Sequence, residues 1–177
     1  MDVLVPLING FEEIEAVSII DILRRAGLNV VTAGIPGTMV EGDNGVKLMT
    51  DRMLKDLEPD DFDAIVLPGG TGAKDLERSE KMMSMLEDFH HKEKLIGAIC
   101  FCPVLLAKKG ILNGKRATVY PGKERELPMP RGERVVVDGN IITSQGPGTA
   151  MEFALKIVEV AAGKQKAESI RKGLVCR

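Results

Sequence analysis

Short apolar runs alternate with helical segments along almost the whole chain. Residues 3–7, 64–67 and 95–99 are apolar throughout, and helical patterns cover about residues 12–26 and 79–92. A strand without a polar face must be covered on both sides, so this alternation predicts a parallel sheet between two layers of helices. The sequence therefore predicts an α/β fold.

The remaining segments are less regular. Residues 34–45 are rich in Gly, Pro and Asn and predict a loop or an excursion of the chain, followed by a weak strand over 46–49. Residues 116–120 predict a strand, and residues 134–143 predict a β-hairpin that turns at Asp138-Gly139. A chain of 177 residues can bury one substantial core but hardly two, so we expect a single domain over residues 1–177.

Composition and charge exclude several classes of function. The net charge is −2, which gives no electrostatic basis for binding nucleic acid or an anionic membrane. No apolar run is long enough to span a bilayer, and residues 1–5 begin directly as a strand without the pattern of a signal peptide. Three cysteines, an odd number, favour reduced thiols over a disulfide framework. We therefore expect a cytoplasmic protein.

Cys100 lies where an apolar strand meets a helical pattern. Pro103 in the first turn of that helix is typical of a helix start. Such a corner, a nucleophile elbow, exposes its side chain at the edge of a sheet and directs backbone N–H groups towards it. A helix N-terminus lowers the pKa of a cysteine, whereas most free cysteines are buried and inert. The position favours a reactive thiol, so Cys100 is predicted to be the catalytic nucleophile.

Glu15 projects onto the apolar face of the first predicted helix. A carboxylate there is costly unless it is protonated or paired. One interpretation is a side chain that reaches the surface at the helix start. The favoured one is a carboxylic acid of raised pKa that points at the sulfur of Cys100 and serves as general acid or base.

Gly69-Gly70 follows a buried strand and can bring backbone N–H groups close to a ligand, although a plain turn needs the same residues. Beside Cys100, it suggests an oxyanion hole formed by the amides of Gly70 and Phe101. Cys102 has no nearby cluster of metal ligands, so we expect no metal, and no cofactor motif is present. His90 and His91 fit a solvated helix end.

Five ordered segments resemble the ThiJ/PfpI superfamily, in the branch that contains the parkinsonism-associated protein deglycase. The resemblance covers essentially the whole chain. Its carriers are residues 10–15, 24–27, 67–70, 98–100 together with Pro103, and 143–149. It implies a flavodoxin-like sandwich, a homodimer with the first helix in the interface, Cys100 as an oxidisable nucleophile, Glu15 as its acid partner and Gly70 as a backbone donor.

The chain departs from that branch at two places. Tyr120-Pro121 stands where relatives often have a histidine before a proline, and Phe101 and Cys102 replace small residues after the nucleophile. A phenol cannot act as a base near neutral pH, although it can donate a hydrogen bond. Gly69, Tyr120 and Cys102 are expected around the pocket, and Phe101 is expected to reshape it.

The leading hypothesis is a cofactor-independent enzyme that acts on reactive carbonyl compounds, of the glyoxalase III or deglycase type, with Cys100 as nucleophile and Glu15 as proton shuttle. A second hypothesis is a redox sensor or redox-regulated chaperone, in which an oxidant converts Cys100 to a sulfinic acid under oxidative stress. A third, a PfpI-like peptidase or amidase, requires a histidine that the sequence does not place near Cys100. The expected partners are a small carbonyl substrate or an oxidant, and a second copy of the chain.

Overall fold

Strands and helices alternate in this computed structural model, which describes residues 1–176. The predicted domain ends at residue 177, which lies outside the described residues. The strands are β1 (Asp2–Ile8), β2 (Asn29–Ile35), β3 (Met39–Glu41), β4 (Lys47–Met49), β5 (Arg52–Met53), β6 (Ala64–Leu67), β7 (Leu95–Ile99), β8 (Val135–Asp138) and β9 (Ile141–Ser144). The α-helices are α1 (Glu13–Arg25), α2 (Glu80–His91), α3 (Cys102–Lys108), α4 (Ala150–Ala162) and α5 (Lys164–Gly173).

Seven of these strands form one sheet, in the order β5-β2-β1-β6-β7-β9-β8. All neighbours run parallel except β8 and β9, which form an antiparallel hairpin. One core layer packs side chains of α1 and α4 against the sheet, and the other packs α2 and α3 against its opposite face. The predicted α/β fold, with a parallel sheet between helices, is confirmed.

The central strands position the functional residues. β6 and β7 are buried along their whole length, and they pair in register from Ala64 with Leu95 to Leu67 with Ala98. β1 pairs with β6 on the other side. The carboxyl ends of β1, β6 and β7 therefore meet at one edge of the sheet, where ligands bind in folds of this type.

Some local predictions were wrong. Residues 116–120 form no strand and contribute only an isolated bridge from Ala117 to Pro130. The segment that follows contains Pro121, Pro128 and Pro130, which lack the N–H donors of a sheet ladder. Residues 34–45 are not a plain loop, because β3 lies within them and pairs with β4 outside the main sheet.

The β8–β9 hairpin is confirmed, but its turn is shifted by one residue. Asp138 pairs with Ile141, so the turn residues are Gly139 and Asn140. Gly139 has φ +62°, a left-handed conformation that glycine adopts without a steric penalty.

Candidate active site

Cys100 lies at the predicted elbow, between β7 and α3. Its φ of +63° is uncommon for a residue with a side chain. Hydrogen bonds hold its backbone from both sides: its N–H donates to the Ser144 carbonyl at 3.1 Å, and its carbonyl accepts from the Tyr120 N–H at 3.0 Å. A strained backbone that is held in place in this way is typical of functional sites.

Glu15 enters the site from the first turn of α1. Its side chain is completely buried, and its Oε2 accepts a hydrogen bond from the Gly69 N–H at 2.7 Å. The start of α1 is fixed by Glu12, whose Oε2 accepts from the Glu15 N–H at 2.7 Å. The interpretation of Glu15 as a solvent-reaching side chain is wrong, because the carboxyl group points into the molecule towards Cys100.

Gly69 is the spacer between the two groups. A Cβ atom at Gly69 would lie 2.5 Å from the Cβ of Cys100, 3.0 Å from the Oε2 of Glu15 and 3.1 Å from the Sγ of Cys100. Carbon atoms do not approach that closely without a shift of the backbone or the side chains. The absence of a side chain at Gly69 therefore lets the thiol and the carboxyl group share one small space.

The carboxyl group and the thiol form a buried acid pair. Burial raises the pKa of Glu15 to about 7, against the opposing hydrogen bond from Gly69. Burial raises the pKa of Cys100 to about 12, and negative charge on Glu15 adds to that rise. Both effects disfavour the state in which the two groups are ionised together. The pair consequently retains one proton above neutral pH.

The expected lowering of the Cys100 pKa by the helix N-terminus does not occur. The backbone N–H groups of Gly70 and Phe101 do donate to the sulfur, and these bonds favour the thiolate. However, Cys100 is only 3% exposed, and desolvation of the thiolate outweighs the two donors. Any reaction at this sulfur would therefore require a base that accepts the thiol proton.

Gly70 holds its donor in place through a backbone conformation that requires glycine. Its φ is +106°, and a Cβ atom there would lie 2.2 Å from the Gly10 carbonyl oxygen. Asp43 fixes the next residue, since its carboxylate accepts hydrogen bonds from the Thr71 N–H at 2.9 Å and from the Thr71 hydroxyl. The β3–β4 hairpin thus anchors the loop that carries the Gly70 amide.

Glu13 ties the same hairpin to α1. It is largely buried, and its carboxylate accepts from the Asn44 backbone N–H at 2.6 Å and from the Asn44 side-chain amide at 3.0 Å. These hydrogen bonds lower its pKa although burial acts in the opposite direction. Sequence reasoning missed Glu13, Asp43 and Asn44 as supports of the site, because the prediction of a loop over 34–45 gave their side chains no partners.

The other residues that the sequence analysis singled out lie at different distances from the elbow. Tyr120 lies beside the elbow, with its ring 5.0 Å from the ring of Phe101. Cys102 is completely buried in the opposite core layer and donates its thiol hydrogen to the Pro68 carbonyl at 3.1 Å, so it does not face the thiol of Cys100. His90 and His91 end α2 directly before β7 begins, and therefore lie at the sheet edge opposite the elbow.

A cleft of about 340 Å³ lies beside the elbow. Gly70 and Phe101 lie in its wall, together with Ala73, Val104 and Leu105. Sequence reasoning missed the last three residues, because a short helix such as α3 is too brief for its exposed face to be read from the sequence pattern. This volume falls within the range of small-molecule sites, which is about 300–1,000 Å³.

Residues 1–176 contain neither a cluster of potential metal ligands nor a membrane-spanning helix. Within them, no group of three or more His, Cys, Asp or Glu side chains is arranged to hold a metal ion. None of the helices described there is long and apolar enough to cross a membrane.

Comparison with known proteins places these features in context. The profile of the DJ-1/PfpI family matches residues 1–160. Protein DJ-1 homolog B of Arabidopsis thaliana is 45% identical over 175 residues, which are 96% of this chain and 40% of that protein. Glutathione-independent glyoxalase DJR-1.2 of Caenorhabditis elegans is 38% identical over 169 residues, which are 92% of this chain and 89% of the relative.

Solved structures agree with these matches. The structure of oxidized Toxoplasma gondii DJ-1 superposes with a TM-score of 0.95 at 40% sequence identity. The superposition covers 98% of this chain and 97% of that one. The similarity therefore extends over the whole sheet and both helical layers.

Proposed function

This chain belongs to the DJ-1/PfpI family, and on that premise we propose that it is a cofactor-independent enzyme that converts 2-oxoaldehydes into 2-hydroxy acids. The resemblance inferred from the sequence motifs is confirmed at the level of the family. The observation that carries the proposal is the buried pair of Cys100 and Glu15, with Gly69 between them. A relative of similar length is a glutathione-independent glyoxalase by name, and this supports the reaction type.

The first step is addition of Cys100 to the aldehyde carbon. The sulfur forms a bond to that carbon while the thiol proton passes to the Glu15 carboxylate, which acts as general base. Glu15 then returns the proton to the aldehyde oxygen and a hemithioacetal results. The Gly70 and Phe101 amides stabilise negative charge as it develops on sulfur and oxygen.

The next steps move hydrogen between adjacent carbons. Glu15 removes the proton from the hemithioacetal carbon and delivers it to the neighbouring ketone oxygen, so that an enediol forms. Glu15 then takes the proton of the hydroxyl group on the sulfur-bearing carbon and delivers it to the former ketone carbon, which gives a thioester. The aldehyde carbon has thereby been oxidised and the ketone carbon reduced. Water then cleaves the carbon–sulfur bond, which releases the 2-hydroxy acid and restores the thiol. The net reaction consumes one water and no external oxidant or reductant.

Conversion of methylglyoxal to lactate by purified protein tests this proposal. We expect turnover in the wild type and a loss of about 10²- to 10⁴-fold in Glu15→Gln, because the amide cannot accept the thiol proton. Asp21→Asn is the matched control: this carboxylate lies on the same helix but is exposed and pairs with Arg25 at 2.6 Å, so turnover of the variant should stay within a few-fold. Equal turnover in Glu15→Gln and the wild type would reject the mechanism.

A redox sensor or redox-regulated chaperone is the second candidate. The Oε1 atom of Glu15 is buried and has no hydrogen-bond partner of standard geometry among residues 1–176, so a protonated Glu15 could donate to an oxygen added on Cys100. The similar structure of Toxoplasma gondii DJ-1 is that of an oxidized protein, which also favours this candidate. Intact mass after mild peroxide tests it: two added oxygens on Cys100 in a protein without turnover would favour the sensor over the enzyme.

We also propose that the protein is a homodimer that uses α1. Ile14 and Val17 on this helix are 58% and 49% exposed, although the rest of its apolar side chains face the core. Apolar side chains exposed side by side are typical of association surfaces. Sedimentation equilibrium should give twice the chain mass, and Val17→Asp should give the monomer mass; a wild-type monomer would contradict the proposal.

The cysteines support a cytoplasmic location. Cys100, Cys102 and Cys176 are all free thiols, and the first two lie in different core layers. Free thiols persist most readily in a reducing compartment. Fractionation of cells that express the chain would check this assignment, and recovery in an oxidising compartment would contradict it.

A further inference from the structure

The cleft beside the elbow shares two residues with the site of the proposed reaction. Gly70 and Phe101 lie in its wall, and the backbone N–H groups of the same two residues donate to the sulfur of Cys100. Cys100 itself does not line the cleft, so a carbonyl group bonded to its sulfur would reach the cleft past Gly70 and Phe101. The atoms attached to the carbonyl group on that side must enter the cleft or remain in solvent.

The wall of the cleft near the donors is apolar. Ala73, Val104 and Leu105 contribute aliphatic groups, and Phe101 contributes an aromatic ring. The ring of Phe101 leans against the ring of Tyr120, at a centroid distance of 5.0 Å and an angle of 30°. This contact keeps the Phe101 ring at the side of the cleft, where it forms a flat wall against which a planar group can pack.

Charged residues lie in the wall as well, mostly as ion pairs. Lys108 pairs with Glu77 at 2.7 Å, and Lys123 pairs with Glu126 at 2.9 Å. The exposed Lys74 also lines the cleft and forms no ion pair within residues 1–176, so three lysines and two glutamates leave one net positive charge on the wall. An uncharged substituent would leave both ion pairs intact. The part of the cleft beside Gly70 and Phe101 is therefore better matched to an apolar group than to an ionic one.

We infer that the preferred substrates are 2-oxoaldehydes with a bulky apolar substituent, above all an aromatic ring. This inference rests on the proposed function and names its substrate class. The methyl group of methylglyoxal would fill a small part of a cleft of about 340 Å³, whereas a phenyl ring would cover Val104 and pack on Phe101. Because the phenyl ring removes more apolar surface from water, burial favours binding of the larger substrate.

Steady-state kinetics with phenylglyoxal and methylglyoxal tests the inference. In the wild type, we expect kcat/KM for phenylglyoxal to exceed that for methylglyoxal by about tenfold. Val104→Phe places a ring in the cleft and should lower the ratio of the two values about tenfold. Val104→Thr keeps the size of the side chain but makes the wall polar, and it should lower the ratio about threefold. The change in ratio between variants cancels the difference in intrinsic reactivity of the two aldehydes.

Val160→Phe is the matched control, because Val160 is exposed on α4 and lies outside the cleft. Its ratio should equal that of the wild type. A wild-type ratio of one or less, or an unchanged ratio in both Val104 variants, would overturn the substrate class while turnover itself upholds the proposed reaction. Undiminished turnover of both aldehydes by Cys100→Ser, or no turnover by the wild type, would instead overturn the proposed function and the inference with it.

Discussion

Cys100 and Cys102 are two residues apart, but they occupy different environments. Cys100 has a left-handed backbone and lies against Glu15, whereas Cys102 lies in the first turn of α3 and its thiol bonds to the Pro68 carbonyl. Burial raises the pKa of both thiols. The difference is therefore in the neighbours: backbone N–H donors and a carboxyl group face the first sulfur, and a carbonyl acceptor faces the second. Burial alone does not decide whether a thiol can react.

The largest effect is expected on turnover, when each of the two cysteines is replaced by serine. Cys100→Ser should lower methylglyoxal turnover by at least about 10³-fold, because the nucleophile is lost. Cys102→Ser should keep turnover within a few-fold, since its hydroxyl can still donate to the Pro68 carbonyl. Lactate production by both variants checks this prediction. A comparable loss of turnover in both variants would contradict the assignment of different roles to the two cysteines.

The next effect concerns the pH dependence of stability. Since burial raises the pKa of Glu15 from 4.5 to about 7, the folded state holds a proton that the unfolded state has already released. Its contribution to the free energy of unfolding is complete below about pH 4.5 and is lost as the pH rises to about 7, by up to about 3 kcal/mol.

Denaturant unfolding at several pH values between 4.5 and 8 measures this slope. Glu15→Gln should lack it, and the variant should gain stability relative to the wild type as the pH rises. Parallel curves for the two proteins across this range would mean that Glu15 titrates normally in the folded state.

A smaller effect, on stability, is expected when a side chain is introduced into the space between Cys100 and Glu15. Gly69→Ala should lower the free energy of unfolding by about 2 kcal/mol, because its Cβ would lie 2.5 Å from the Cβ of Cys100. Gly132→Ala is the matched control, since a Cβ there meets no atom within 4 Å. Thermal or denaturant unfolding of both variants provides the measurement. Equal stability of the two would contradict the close packing at Gly69.

The sequence was sufficient for the features that depend on local chemistry. Buried apolar strands predicted the parallel sheet, and the strand–helix junction predicted the corner at Cys100. A carboxylate on the apolar face of α1 predicted the buried position of Glu15. Each of these conclusions needed only a periodicity and the cost of burying a charge.

Features that depend on distant contacts were not predictable in the same way. The predicted lowering of the Cys100 pKa was wrong, because burial raises this pKa. The depth of burial is set by packing from several elements and not by the strand–helix corner itself. The bond between Asp43 and Thr71 joins residues 28 positions apart, across a hairpin that the loop-like composition of 34–45 conceals. The strand at 116–120 failed because its apolar residues pack in the core without a neighbouring strand to pair with.

The pH dependence of Cys100 alkylation, followed by peptide mass in the wild type and in Glu15→Gln, tests most directly whether the two groups share one proton. Cys102 is an internal control that should remain unmodified, because its sulfur is completely buried. Since negative charge on Glu15 raises the pKa of Cys100, the variant should react at lower pH than the wild type, although it has lost turnover. Superimposable profiles for the two proteins would contradict the account.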